Sequence, residues 1–247
     1  MSNFETVKNK YKSLRFNSIA SCLDRLVKEA HDNEISYLQF AEILVDNELS
    51  KREENRIRLN MSRAGFPVKK ELEEFDFMYQ TTITKKQIVN LLDFGFIDNR
   101  ESVVFIGPPG VGKTHLAIAV GVKAVETGYK VLFSTALTLV ESLDLAEARG
   151  ELKKKINWLL KFDLVIVDEL GYLPLNQKSV YNFFQFINAL YEYRSIALTT
   201  NKEFTSWGEF FVNDNLAVPI VDRLIHRSHI FIMGGESYRL RDKMSKV

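Results

Sequence analysis

The chain has one cysteine, Cys22, among 247 residues. An intrachain disulfide is therefore excluded, and the thiol is expected to fill a helix face as a small hydrophobe. No apolar run reaches the length of a membrane-spanning helix, and no membrane partner is expected. Neither sign of charge dominates: 33 basic residues stand against 32 acidic ones, a net charge of +1. That balance neither demands nor excludes nucleic acid, so local patches must decide. Internal repeats and low-complexity stretches are missing as well. Met1 to Phe16 is charged throughout and holds no signal-peptide core, so the expected location is cytoplasmic. His226 and His229 have no acid or third ligand at metal-binding spacing, and they read as a helix-end and a strand-start histidine. The chain does have apolar content, 46% of its residues, at a length that suits one large domain plus a small one.

Residues 1–75 read as an all-helical domain. Asn17 or Ser18 is placed to cap a helix carrying Ile19, Leu23, Leu26, Val27 and Ala30 at helical spacing. Ser36 and Gln39 form a capping box for a second helix, which runs to Ala64 before the stop signal of Gly65 and Pro67. Its second half is basic, with Lys51, Arg52, Arg56, Arg58 and Arg63. Residues 72–84 read as a linker. From 76 to 247 strands and helices alternate, the pattern of an α/β fold with a parallel sheet flanked by helices. Thr84 and Gln87 cap a helix that Gly95 is expected to end. Strands are expected at 102–106, 130–134, 164–167, 196–199 and 229–233. Helices fall at about 113–127, 137–148, 151–161, 177–192 and 217–226. Trp158 is assigned to the apolar face of its helix, and Phe204, Trp207, Phe210 and Phe211 to core or helix packing.

The most specific signal is Gly107-Pro108-Pro109-Gly110-Val111-Gly112-Lys113-Thr114, which satisfies the phosphate-binding pattern G-x-x-x-x-G-K-[ST] at every fixed position. It lies between a β-branched strand and a helix, as the chemistry requires. Glycines let backbone N–H groups surround a phosphate, and the new helix adds its positive dipole end. Lys113 then reaches the β- and γ-phosphates, and the Thr114 hydroxyl ligates Mg²⁺.

Leu164-Val165-Ile166-Val167-Asp168-Glu169 is an apolar strand ending in two acids. Parallel strands deliver their C-terminal ends to the ligand crevice. Asp168 is thereby a metal-side carboxylate. Glu169, expected on the opposite side of the strand end, is a base for the water that attacks the γ-phosphate. The plainer reading is two solvated acids. Asn201 follows the strand Ile196–Thr199, either to bond that water or to serve as a turn residue. Arg223, on a short helix, is either half of a surface ion pair with Asp222 or an arginine finger for a neighbouring subunit. Arg239, in a strand Ser237-Tyr238-Arg239 with Arg241 on the same face, could approach the γ-phosphate of its own subunit; otherwise it lies on a solvated face.

In this order the motifs resemble IstB-like AAA+ ATPases, the transposition helpers of insertion sequences, which belong to the clade of the DnaC and DnaI helicase loaders. The resemblance covers nearly the whole chain. Gly107–Thr114 matches Walker A, Leu164–Glu169 Walker B, Asn201 sensor 1, Arg223 the arginine finger and Arg239 sensor 2. It implies a P-loop AAA+ domain preceded by a small all-α domain, an ATPase using ATP and Mg²⁺, and a ring or spiral homo-oligomer with ATP between subunits. It also implies double-stranded DNA and a cognate transposase as partners. A helix pair after the second strand, about 135–161, would touch DNA through Arg149, Lys153, Lys154 and Lys155. By charge alone that run reads as a solvated helix face. Two alternatives share the motor: a helicase loader acting in replication, and an ATP-gated clamp for which hydrolysis is incidental.

Overall fold

The computed structural model describes residues 3–171, 175–211 and 214–238. None of its helices is long and apolar enough to cross a membrane. The chain divides into two compact units, Met1–Leu59 and Asn60–Val247.

The first unit is helical: α1 (Asn3–Ser13), α2 (Asn17–Asp32) and the start of α3 (Tyr37–Ala64). Ile19, Leu23 and Leu26 recur along α2 at helical spacing and bury against Leu44, with Val7, Tyr11 and Phe40 at the margin. Cys22 lies half-buried on α2, as expected. The Ser36–Gln39 capping box opens α3: the Gln39 side chain accepts from the Ser36 N–H at 2.9 Å, and the Ser36 hydroxyl accepts from the Gln39 N–H at 3.3 Å. The expected cap of α2 differs. Neither Asn17 nor Ser18 caps it through a side chain. Glu48, from α3, accepts from the N–H groups of Ser18 and Ile19 at 3.0 and 3.2 Å. A full carboxylate at a helix N-terminus also gains from the dipole, so the tertiary cap displaces the local one.

The second unit begins at Asn60, inside α3. Its early segment carries too much apolar surface to stay a free linker: Phe66 meets Phe133 at 6.2 Å between ring centroids, and Leu72 and Ile83 are buried. Thr84 and Gln87 cap α4 (Lys85–Val89) as expected. Gly95 does not end that helix; a 3₁₀ turn follows, and Gly95 starts α5 (Gly95–Asp98) with its N–H bonded to Asp93.

Then come β1 (Ser102–Ile106), α6 (Lys113–Glu126), β2 (Val131–Thr135), α7 (Ala136–Ala148), α8 (Leu152–Leu159), β3 (Leu164–Leu170), α9 (Gln177–Leu190), β4 (Ser195–Thr200), α10 (Trp207–Phe211), α11 (Asp214–Ile225) and β5 (Ser228–Ile232). The described strands form one parallel sheet in the order β2-β3-β4-β1-β5. All five β1 residues are buried, as are the first five of β3 and all six of β4, which is why these runs read as continuously apolar rather than alternating. Trp207, Phe210, Phe211, Phe183 and Phe186 pack with Leu143 and Leu159 in the main core. Leu143 is completely buried, so Leu143→Ala is expected to lower unfolding free energy by about 3 kcal/mol through lost transfer energy and the cavity left behind. A denaturant titration with an unchanged m-value checks it.

Candidate active site

β4 lies between β1, which ends in the glycine-rich loop, and β3, which ends in the two acids. The C-terminal residues of β1, β3 and β4 therefore meet at one edge of the sheet. Phe105 and Ile106 are in register with Thr199 and Thr200, and the Gly107 N–H donates to the Thr200 carbonyl at 3.1 Å.

The loop is built for close approach. Gly110 and Gly112 take φ of +84° and +98°, where a side chain is strained. A Cβ on Gly110 would lie 2.1 Å from the Ser237 hydroxyl, and one on Gly112 would lie 2.5 Å from the Phe75 ring. Lys113 is the first residue of α6 and is buried. Its ammonium donates to the carbonyls of Gly107 and Pro108 at 2.7 and 2.8 Å. The next residue, Thr114, donates its hydroxyl to Asp168 Oδ1 at 2.8 Å.

Asp168 and Glu169 do not alternate as an ordinary strand would. Val167 pairs with Leu198 and Leu170 with Thr200, so the two acids together stand opposite one residue, Thr199. This β-bulge turns Glu169 to φ +62°, and Glu169 lines the cleft. Asp168 is buried and receives two hydroxyl donors, Thr114 and Thr199.

The cleft holds about 620 Å³ and is lined by Pro109 to His115, Glu169, Thr199 and Tyr238. Its remaining wall comes from Ile118, from Lys70 and from the segment read as a linker: Glu74, Phe75, Asp76, Tyr79 and Gln80. Phe75 lies edge-on to His115 at 5.4 Å, and Tyr79 to Tyr238 at 5.5 Å. The buried Gln80 amide donates to the carbonyls of Val111 and Gly234, at 3.2 and 3.0 Å, while its oxygen accepts from Thr82. Phe75, Tyr79, Gln80 and Thr199 are thus cleft residues that no sequence motif singles out. The aromatic spacing of Phe75, Phe77 and Tyr79, within an acidic stretch, was the available signal.

The other expected residues lie as follows. Asn201 follows β4 directly but is not among the cleft-lining residues, and its Oδ1 is buried without a hydrogen-bond partner among the described residues. Arg223 is remote from the cleft of its own chain. It sits over the Phe184 and Tyr191 rings at 5.4 and 5.9 Å, donates to the Pro219 carbonyl, and borders a small cavity with Ser102 and Ile196, at the end of the sheet where strands begin. Arg239 and Arg241 lie outside the described residues, and no strand covers Ser237 and Tyr238. α7 and α8 occupy the place foreseen for the helix pair. Arg149, Lys153 and Lys154 are exposed, with Lys154 paired to Glu151 at 3.0 Å. Lys155 lies 4.6 Å over the Trp158 ring, and burial holds its pKa below the ordinary lysine value. Trp158 is 42% exposed, so it is not the buried face of α8. His226 bonds Tyr191 and His229 bonds Glu101; no group of three metal-ligating side chains occurs among the described residues.

A five-stranded parallel sheet in this order, with a glycine-rich loop after β1 and acids at the end of β3, defines a P-loop AAA+ domain. The family described as IstB-like ATP binding protein matches residues 9–246, and the chain belongs to it. A candidate ATP-binding protein of insertion sequence IS5376 from Geobacillus stearothermophilus is 41% identical over 218 residues, 88% of this chain and 87% of the relative. Its counterpart of insertion sequence IS21 from Pseudomonas aeruginosa is 39% identical over 230 residues, 93% of this chain and 87% of the relative. Among solved structures, AMPPCP-bound DnaA from Aquifex aeolicus superposes with a TM-score of 0.56 at 22% identity, covering 74% of this chain and 56% of that one, a likeness of fold.

Proposed function

We propose that this chain binds and hydrolyses ATP with Mg²⁺, and that as a homo-oligomer on double-stranded DNA it assists the transposase of an insertion sequence. The observation that carries the ATPase reading is the joining of Thr114 to Asp168 and of Asp168 to Thr199 beside Glu169, all at the mouth of a glycine cradle. Glycine at 110 and 112 leaves the loop backbone without side chains there, so its N–H groups are available to a phosphate. Thr114 and Asp168 offer the hard oxygen donors that Mg²⁺ takes. When bound, that ion supplies charge neutralisation at the phosphate oxygens.

The chain's own residues do the rest. Lys113 exchanges its two carbonyl partners for phosphate oxygens. Phe75, Tyr79 and Tyr238 offer apolar surface to the base. The Glu169 carboxylate accepts a proton from the attacking water. Asn201, whose amide oxygen has no hydrogen-bond partner among the described residues, is assigned to orient that water. Arg223, remote from its own cleft, is assigned to the cleft of an adjoining subunit. Arg239 is assigned to the γ-phosphate.

The transposition reading rests on family membership and on the insertion-sequence relatives. Arg149, Lys153, Lys154 and Lys155 are assigned to DNA phosphates. The test is phosphate release by the wild-type chain with and without duplex DNA, alongside DNA affinity across a salt series. Duplex binding that needs ATP, with a log–log salt slope of roughly 0.9 per phosphate contacted, is expected. Reversing Lys153 and Lys154 to Glu should flatten that slope by about 2. A preference for single strands together with capture of a replicative helicase would replace the transposase assignment by a loader.

A further inference from the structure

Thr199 stands where the sheet topology leaves one side chain between the loop strand and the acid strand. It is buried, in register with Phe105 on one side and opposite the Asp168–Glu169 bulge on the other. A threonine hydroxyl has one proton to donate and two lone pairs to offer. Here the proton goes to Asp168 Oδ1 at 2.5 Å, and a lone pair accepts the Glu169 N–H at 2.9 Å. One atom thus fixes the carboxylate of the first acid and the backbone of the second.

The Glu169 backbone has reason to need holding. Its φ of +62° is disfavoured for a residue with a Cβ, so an outside contact must select it. Without the hydroxyl, the Glu169 N–H loses its side-chain partner on β4, and the bulge can relax toward regular pairing. In that arrangement successive side chains alternate faces, which carries Glu169 away from the cleft.

We infer that Thr199 is a positioning residue for hydrolysis: through the bulge it aims Glu169 into the cleft, and it acts on turnover rather than on nucleotide binding. The inference rests on the ATPase reading above.

The test uses the full chain with Thr199→Val, which keeps shape and removes the hydroxyl, and Thr199→Ala and Thr199→Ser as companions. Affinity for a slowly hydrolysed ATP analogue with Mg²⁺ is expected to stay within about twofold, while kcat falls ~10- to 100-fold, the usual scale for losing a supporting hydrogen bond to a reacting group. Thr199→Ser should return kcat to within roughly threefold of wild type, because the bonding atom is restored. Independently of activity, hydrogen exchange at the Glu169 amide should quicken by about tenfold or more in the Val and Ala variants and revert in Ser. The Ala variant reads the same quantities should the Val side chain disturb folding. Wild-type turnover in either hydroxyl-free variant overturns the inference, as does a loss of analogue affinity matching the loss of kcat. A wild-type chain that binds the analogue but releases no phosphate removes the ATPase reading itself. The two failures differ in whether wild-type turnover is present.

Discussion

Glu169→Gln is expected to reduce ATP turnover by about 10²- to 10³-fold while leaving nucleotide affinity within a few-fold of wild type. The amide is nearly the size of the carboxylate and can keep the same place at the cleft, but it cannot take a proton from water. The hydrogen bonds of Lys113 to the Gly107 and Pro108 carbonyls and of Thr114 to Asp168 do not involve the Glu169 side chain. Single-turnover phosphate release, read beside equilibrium binding of labelled nucleotide, separates the two quantities. Full turnover in the Gln variant would take Glu169 out of the base role. ATP-dependent DNA binding that survives in it would yield a trapped complex useful for structure determination.

Lys113→Ala is expected to act on the other quantity. The ammonium is buried and already holds two backbone oxygens, so its geometry for phosphate oxygens is prepared in advance. Two charge-assisted hydrogen bonds at about 1.5 kcal/mol or more each correspond to a loss of roughly 10²-fold in ATP affinity. Calorimetric titration measures this directly, and an unchanged Kd would contradict the cradle. The same variant probes Arg223. If that guanidinium serves an adjoining cleft, a Lys113→Ala subunit can still lend its own arginine. Mixing it with an Arg223→Ala chain should then recover part of the turnover that each lacks alone. Absence of recovery at concentrations where the chains associate would leave Arg223 with its partners of the present structure, Phe184, Tyr191 and the Pro219 carbonyl.

What could be read from sequence was what is local. Ser36 with Gln39 and Thr84 with Gln87 announce their helices because each box closes within four residues. The apolar runs of β1, β3 and β4 announce a buried parallel sheet because both faces are covered. The glycine-rich loop was legible because its pattern is itself a backbone requirement. What stayed hidden depends on contacts distant in the chain. Glu48 caps α2 across 29 or 30 residues, and no spacing rule links them. Residues 72–84 read as a linker, yet Phe75 and Gln80 wall the cleft, the latter with a bond spanning 154 residues to Gly234. The bulge at Asp168–Glu169 is set by pairing with β4, so strand periodicity alone gives no sign of it.

The left-handed backbone at Glu169 has a bearing on how such a chain can vary. Glycine would occupy that dihedral region without the cost of about 1–2 kcal/mol that a β-carbon brings there. Selection for thermal robustness alone would thus favour glycine at 169, and selection for a carboxylate there pulls the other way. A copy of this gene released from the need to turn over nucleotide has a substitution open to it that makes the domain sturdier and silent in one step.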